Sequence, residues 1–230
     1  MHFIDAVFRK NRELGGIYAA LEKGTLPAAV TGLSPVHRAA FISSAVGTLG
    51  RRAVVICPDE AEANRLICDL EGFGKSALLL PSRDLLSGGG AASSREWEHK
   101  RLYTLSALAD GAFSVCVGSV EAFCEVTAPP ENIRNNTFSL KEGQQIAIRD
   151  LLDRLVSAGY TFSEQCEGVG QFSHRGGIVD IFPVTLLSPV RIEFWGDEID
   201  VISVFDPDTQ RRGENIPKVD IAPARVALYE

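Results

Sequence analysis

Apolar residues in the first half of the chain fall into short unbroken runs, separated by longer stretches of helical period. The runs are 28–31, 53–57 (AVVIC), 77–80 and 113–117 (FSVCV). Between them His37–Leu49, Glu60–Phe73 and Ser94–Ala109 repeat apolar positions every three to four residues, as Ala63, Leu66, Ile67 and Leu70 do. A further helical pattern covers Phe3–Lys23 and is interrupted at Gly15-Gly16. A strand buried on both faces shows no polar alternation, so apolar strands alternating with helices predict an α/β fold: a parallel sheet with helices on both faces.

The pattern changes after VTAPPENIRNN (126–136), a stretch with two prolines and no apolar period. Thr137–Leu140 reads as a strand, and Gln144–Ala158 as an amphipathic helix closed by Gly159. Then Tyr160–Cys166, Gln171–Ser173, Gly177–Phe182, Val190–Trp195 and Glu198–Phe205 read as strands, with Gly196-Asp197 a hairpin turn. This predicts a smaller α+β domain with an antiparallel sheet. Side chains alternate across a strand, so Ile192 and Phe194 share one face while Arg191, Glu193 and Trp195 share the other. If the aliphatic face packs on a core, the other shows water an arginine, a carboxylate and a tryptophan. Arginine and tryptophan are the residues that most often anchor protein interfaces.

Composition narrows the function classes. The net charge of -7 argues against broad, sequence-independent DNA binding, which rests on basic surface. Cysteines at 57, 68, 116, 124 and 166 form no CxxC pair, and the scattered histidines give no metal spacing. Reduced, structural thiols in a cytoplasmic protein are expected. No apolar run reaches the roughly 18 residues of a membrane span, so no membrane partner is expected either.

In an α/β sheet of this kind the loop after the first strand is where phosphates bind. A working loop needs glycines for close approach, then lysine for the phosphates and Ser or Thr for magnesium. Here Thr31, Gly32 and Ser34 stand in the right place, but Pro35 and Val36 fall where lysine and threonine would be. Proline also removes a backbone N–H that would face an anion. The reading is a RecA-like, P-loop-NTPase-like scaffold with a degenerate nucleotide site, no catalytic residues and no metal or cofactor of its own. A weaker alternative has His37 and Arg38 hold another anion at the helix N-terminus. The triple glycine within 81–94 reads as a surface loop, and REWEHKR (95–101) as a salt-bridged solvated face.

Three stretches carry a specific resemblance: EGVGQFSHRGGIVDIFP, PVRIEFWGDEIDVISVFDPDTQRR and VTGLSPVHRAAFI. They resemble the N-terminal module of the bacterial transcription-repair coupling factors (Mfd), which is itself similar to the first two domains of the excision-repair protein UvrB. UvrB resembles a true helicase with an intact phosphate loop, and Pro35 and Val36 set this chain apart from it. The resemblance implies residues 1–130 as the first part of a UvrB domain 1-like domain. It implies 131–218 as an inserted domain that binds UvrA, and 219–230 as the start of a return to the first domain. It further implies a longer parent, an ATP-dependent DNA translocase that displaces stalled RNA polymerase in transcription-coupled nucleotide excision repair. ATP, magnesium, DNA and RNA polymerase would belong to the rest of that parent, with weak or no DNA binding here.

The family's UvrA contacts are an arginine opening the RGG strand, an arginine in the next strand, and an aromatic four residues beyond. They fall on Arg175, Arg191 and Trp195. The family usually has phenylalanine at the last, so Trp195 is a departure that keeps an aromatic anchor and changes its shape. A purely structural alternative lays the Trp195 ring over Gly177, with Arg191 and Glu193 as a charged outer face and Asp180 a satisfied buried carboxylate. The competing functions are a UvrB-like DNA-damage binder and a nucleotide-dependent helicase fragment.

Overall fold

A computed structural model describes residues 6–8, 10–25, 27–83, 91–127 and 129–225. In chain order the first elements are α1 (Arg12–Lys23), α2 (Pro35–Leu49), β1 (Ala53–Cys57), α3 (Glu60–Gly72) and β2 (Ala77–Leu80). There follow α4 (Ala91–Asp110), β3 (Val115–Ser119), α5 (Val120–Cys124), α6 (Pro130–Asn136), β4 (Phe138–Lys141) and α7 (Ile148–Ser157). The last are β5 (Thr161–Phe162), β6 (Gln171–Arg175), β7 (Ile178–Ile181), β8 (Val190–Trp195), β9 (Glu198–Phe205), β10 (Arg212–Asn215) and β11 (Lys218–Ile221). They divide into two compact units: Met1–Ser82 with Ala112–Glu125, and Arg83–Gly111 with Val126–Glu230.

The first unit holds a parallel sheet in the order β1-β3-β2, with Ala53 and Ala77 both in register with Val115. The central strand β3 is buried throughout, as its unbroken apolar run requires. Helices α2 and α3 bring Ala39, Ala63 and Leu70 onto Cys57, Val115 and Val117. Asp59 starts α3 by accepting from the Glu62 N–H at 2.7 Å, satisfying one of the donors a helix leaves open. Helix α1 runs through Gly15-Gly16; its break falls instead at Asn11, whose Oδ1 accepts from the Leu14 N–H. The strand expected at 28–31 does not form, and those residues are exposed coil. The four residues stand between Pro27 and the left-handed Gly32, and no described strand pairs with them. The edge on that side is therefore β1, whose Val54 and Ile56 are exposed.

The second unit is built on a six-stranded sheet, β10-β9-β8-β7-β6-β5, antiparallel except for the short β5–β6 pair. Its inner face supplies Phe172, Val179, Ile181, Val190, Ile192 and Ile202 to a core closed by Leu151 and Leu155 of α7. Helix α7 starts later than the sequence pattern suggests. Ile146 donates its N–H to the Asp197 carbonyl, and Gln145 bridges Glu198, so the residues before it are tied to the β8–β9 hairpin. Strand β11 pairs antiparallel with β4, burying Val219 and Ile221 in this same core. Residues 219–221, at the start of the stretch expected to return to the first domain, pack within the second unit. Residues 226–230 lie outside the described residues, as do 84–90 with the triple glycine.

Helix α4 also belongs here, through Leu102. Its Glu96–Lys100 ion pair is exposed as expected, but Arg101 is buried, its guanidinium 5.8 Å from the Trp97 ring centre. His99 lies against Gly170, where an added Cβ would sit 2.6 Å from the imidazole and the backbone has φ 77°. No helix among the described residues is long and apolar enough to cross a membrane.

Candidate functional site

The registers of β6 to β9 line up two rows across the outer face of the six-stranded sheet. One runs Ser173, Asp180, Arg191, Ser203; the next runs Arg175, Ile178, Glu193, Val201. The predicted side of Arg191 and Glu193 is therefore right, but what covers them differs along the row.

Arg191 is not offered to water. Its Nε donates to Asp180 Oδ1 at 2.7 Å and its Nη2 to Oδ2 at 2.8 Å, with side-chain exposures of 19% and 5%. The guanidinium lies 4.7 Å from the Phe205 ring centre, and Nη1 and Nη2 reach the Gln210 carbonyl and Oε1, each at 3.4 Å. A guanidinium has five N–H donors, so four are engaged here. The hydrogen bond to Asp180, with its charge, holds the Arg191 pKa above the ordinary arginine value. Beside the pair, Cys166, Phe182 and Phe205 form a small second core. Desolvation there, with the Asp180 charge adding to it, pushes the Cys166 thiol up to about 12, so it stays protonated. Asp180 is the satisfied buried carboxylate its alternation suggested.

Glu193 is also held, by Arg212 Nη1 at 3.0 Å. Arg175 is exposed, and one of its nitrogens donates to the Glu164 carbonyl at 3.1 Å. Trp195 sits at the end of β8, opposite Glu198 across the Gly196-Asp197 turn, with 84% of its surface exposed. It does not lie over Gly177. That glycine accepts from the Phe194 N–H, and an added Cβ would come 3.1 Å from the Phe194 carbonyl. Phe194 packs instead against the main core. Between Glu193 and Phe194 the pairing steps from Glu193–Val201 to Phe194–Ile199, leaving Asp200 as the extra residue of a bulge in β9. Bulges turn a strand and re-aim its side chains.

Three participants were missed by sequence reasoning: the Asp180–Arg191 fork, strand β10 with Arg212, and Gln210. The loop after β9 has a turn signal in Asp206-Pro207-Asp208, and Asp206 Oδ1 indeed accepts from the N–H groups of Asp208 and Thr209. Nothing in the sequence marks Gln210, whose φ of 59° is the single left-handed value at a non-glycine position among the described residues.

The loop that the sequence suggested as a degenerate nucleotide site forms a helix cap. Gly32 has φ 82°, and Ser34 is the N-cap of α2, its Oγ accepting from the His37 N–H and lying 2.9 Å from His37 Nδ1. Pro35 occupies the first helical turn, Thr31 and Val36 are exposed, and Arg38 pairs with Glu62 at 2.8 Å. An open groove of about 300 Å³ here is lined by Pro35, Arg38, Ile42, Cys57, Glu62 and Leu66. Arg38 is ion-paired there, while Arg65, also in the lining, donates from Nε to the Ala61 carbonyl at 3.3 Å. Among the described residues no group of three or more His, Cys, Asp or Glu is placed to hold a metal ion.

Residues 138–226 match the family model of the UvrB interaction domain. Over 227 residues, 98% of its length, the chain is 30% identical to the transcription-repair-coupling factor of Bacillus subtilis (strain 168). It is 32% identical over 197 residues to that of Staphylococcus aureus (strain Mu50) and 33% to that of strain MRSA252. The chain spans about a fifth of the length of these relatives, 19% of the first and 17% of the others. The domain match covers the outer face just described, and the likeness to these factors runs along nearly the whole chain, so the chain belongs to the transcription-repair-coupling factor family, with a UvrB interaction domain at residues 138–226.

Proposed function

We propose that this module recruits UvrA through the outer face of its six-stranded sheet, with Trp195 and Arg175 as the principal contacts. The observation that carries the reading is Trp195: a tryptophan left 84% exposed inside the matched domain, on the sheet that also carries the exposed Arg175. Burying a large ring on binding releases water from apolar surface, and such residues anchor most interfaces. Arg191 serves the same face from beneath. The module has no catalytic residues and needs no nucleotide or metal; the capped turn at Ser34 and the paired Arg38 support this. In the full-length parent, an ATP-dependent DNA translocase that displaces stalled RNA polymerase, it would deliver the repair machinery.

Titration of purified UvrA against the wild-type chain, Arg175→Ala and Trp195→Ala tests the reading. Each substitution is expected to weaken binding by about 2 kcal/mol. Unchanged affinity in folded variants would remove the outer face from consideration.

A further inference from the structure

Helix α4 buries a serine that no described residue satisfies. Ser106 is 7% exposed and stands one turn beyond Leu102, which packs in the main core of the second unit. A serine inside a helix normally faces water or returns its hydroxyl to the carbonyl four residues back. Ser106 does neither: its Oγ is buried and has no hydrogen-bond partner among the described residues. A hydroxyl left in that state costs stability, and alanine would suit the helix better. So rare a group in a folded chain points to a partner from outside it.

There is room for one. Ser106 lines an open cavity of about 550 Å³ in the second unit, a volume typical of small-molecule pockets. Arg175, Arg191 and Trp195 take no part in its lining. Its apolar surface comes from Ile133 of α6, Leu186 in the β7–β8 connection, and Ile216, Val219 and Ala222 in and around β11. Two ion pairs complete it: Arg134 Nε lies 3.9 Å from Asp110 Oδ1, and Lys218 Nζ lies 3.0 Å from Asp220 Oδ1. All four of these side chains are more than half exposed, so both signs of charge are within reach of a ligand. Two cations against two carboxylates leave no net charge, which disfavours a phosphate or a bare cation and suits a molecule carrying one charge of each sign. We propose that this cavity binds a small zwitterion with an apolar body, of the dipeptide class. Its carboxylate meets Arg134 or Lys218, its ammonium meets Asp110 or Asp220, and its side chains cover Ile133, Leu186 and Ile216. A polar tip, such as a phenolic hydroxyl, both donates and accepts as the Ser106 hydroxyl does, and satisfies it.

The test is calorimetric titration of the chain and of Ser106→Ala with three probes: leucyl-tyrosine, leucyl-phenylalanine, and leucyl-tyrosine blocked at both ends by acetyl and amide groups. Leucyl-tyrosine is expected to bind saturably, and the blocked form about tenfold more weakly, for want of its charges. Ser106→Ala is expected to weaken leucyl-tyrosine about fivefold and to leave leucyl-phenylalanine unchanged, since that probe has no hydroxyl to lose a partner. Without ligand, Ser106→Ala is expected to melt at or above the wild-type temperature. A lower melting temperature would show that the hydroxyl serves the fold, through water held inside, and would overturn the proposal. Absence of saturable binding overturns it as well, as does equal affinity of leucyl-tyrosine for both chains. If the blocked form binds as tightly as the free dipeptide, the cavity reads a peptide segment and not a zwitterion, and the proposal falls.

Discussion

Removing one member of the Asp180–Arg191 pair and removing both are physically different acts. The pair is fork-to-fork and its carboxylate is 5% exposed, so truncating either partner leaves the other charged and without its counter-ion. Arg191→Ala or Asp180→Ala is therefore expected to cost about 3 kcal/mol or more in urea unfolding. Replacing both together, as Asp180→Leu with Arg191→Met, is expected to cost less than either single change, because no orphaned charge remains. Equal or larger losses in the double variant would show that the pair contributes net attraction. The comparison also bears on docking: an Arg191 variant must be checked for folding before its effect on UvrA is read as a lost contact.

At the scale of elements, α4 meets the β5–β6 connection at one tight point. Gly170→Ala must place a methyl group into the His99 ring and strain a left-handed backbone, and a loss of roughly 1–3 kcal/mol in thermal unfolding is expected. His99 adds a pH dependence. Burial favours its neutral form, so its pKa in the folded chain lies below the ordinary 6.5. In the window between the two values the unfolded chain binds more protons than the folded one. The stability this provides is complete above 6.5 and is lost as pH falls through the depressed value. The melting temperature is expected to drop more between pH 7.5 and 5.5 in wild type than in His99→Gln.

The same scale shows which parts of this architecture a linear reading could reach. Alternation in Val190–Trp195 and the Gly196-Asp197 turn specified the β8–β9 hairpin and the faces of Ile192 and Arg191 correctly. Alternation says which side a residue takes, but not what lies over that side. The cover on Arg191 comes from Gln210, in a loop with no period to read. The exposure of Trp195 was legible because it ends the strand at the turn, where the described residues leave it open. The failure at Ala28–Thr31 has the opposite cause: an apolar run was taken as a strand without the neighbour that would hold it.

The whole molecule joins two units of different character: a small parallel sheet ending in an exposed β1, and an antiparallel sheet with a partly covered outer face. In the first unit the Ser34 cap and the Arg38–Glu62 pair lie in the loop whose sequence reads as a degenerate phosphate site. Magnesium-ATP is accordingly expected to leave the melting temperature unchanged, since a ligand that binds the folded state would raise it. A saturable rise would restore a nucleotide role. Nonspecific duplex DNA binding is expected to be weak and to vanish with added salt, given a net charge of -7.

The exposure of Trp195 has one practical consequence. The chain has two tryptophans, and the other, Trp97, is half-buried on α4. Trp195 is thus a native fluorophore in contact with solvent, open to collisional quenchers such as iodide. If the outer face is covered on docking, its emission will shift to the blue and its quenching will fall. Association could then be followed by light from the chain itself, with no label on the surface being measured.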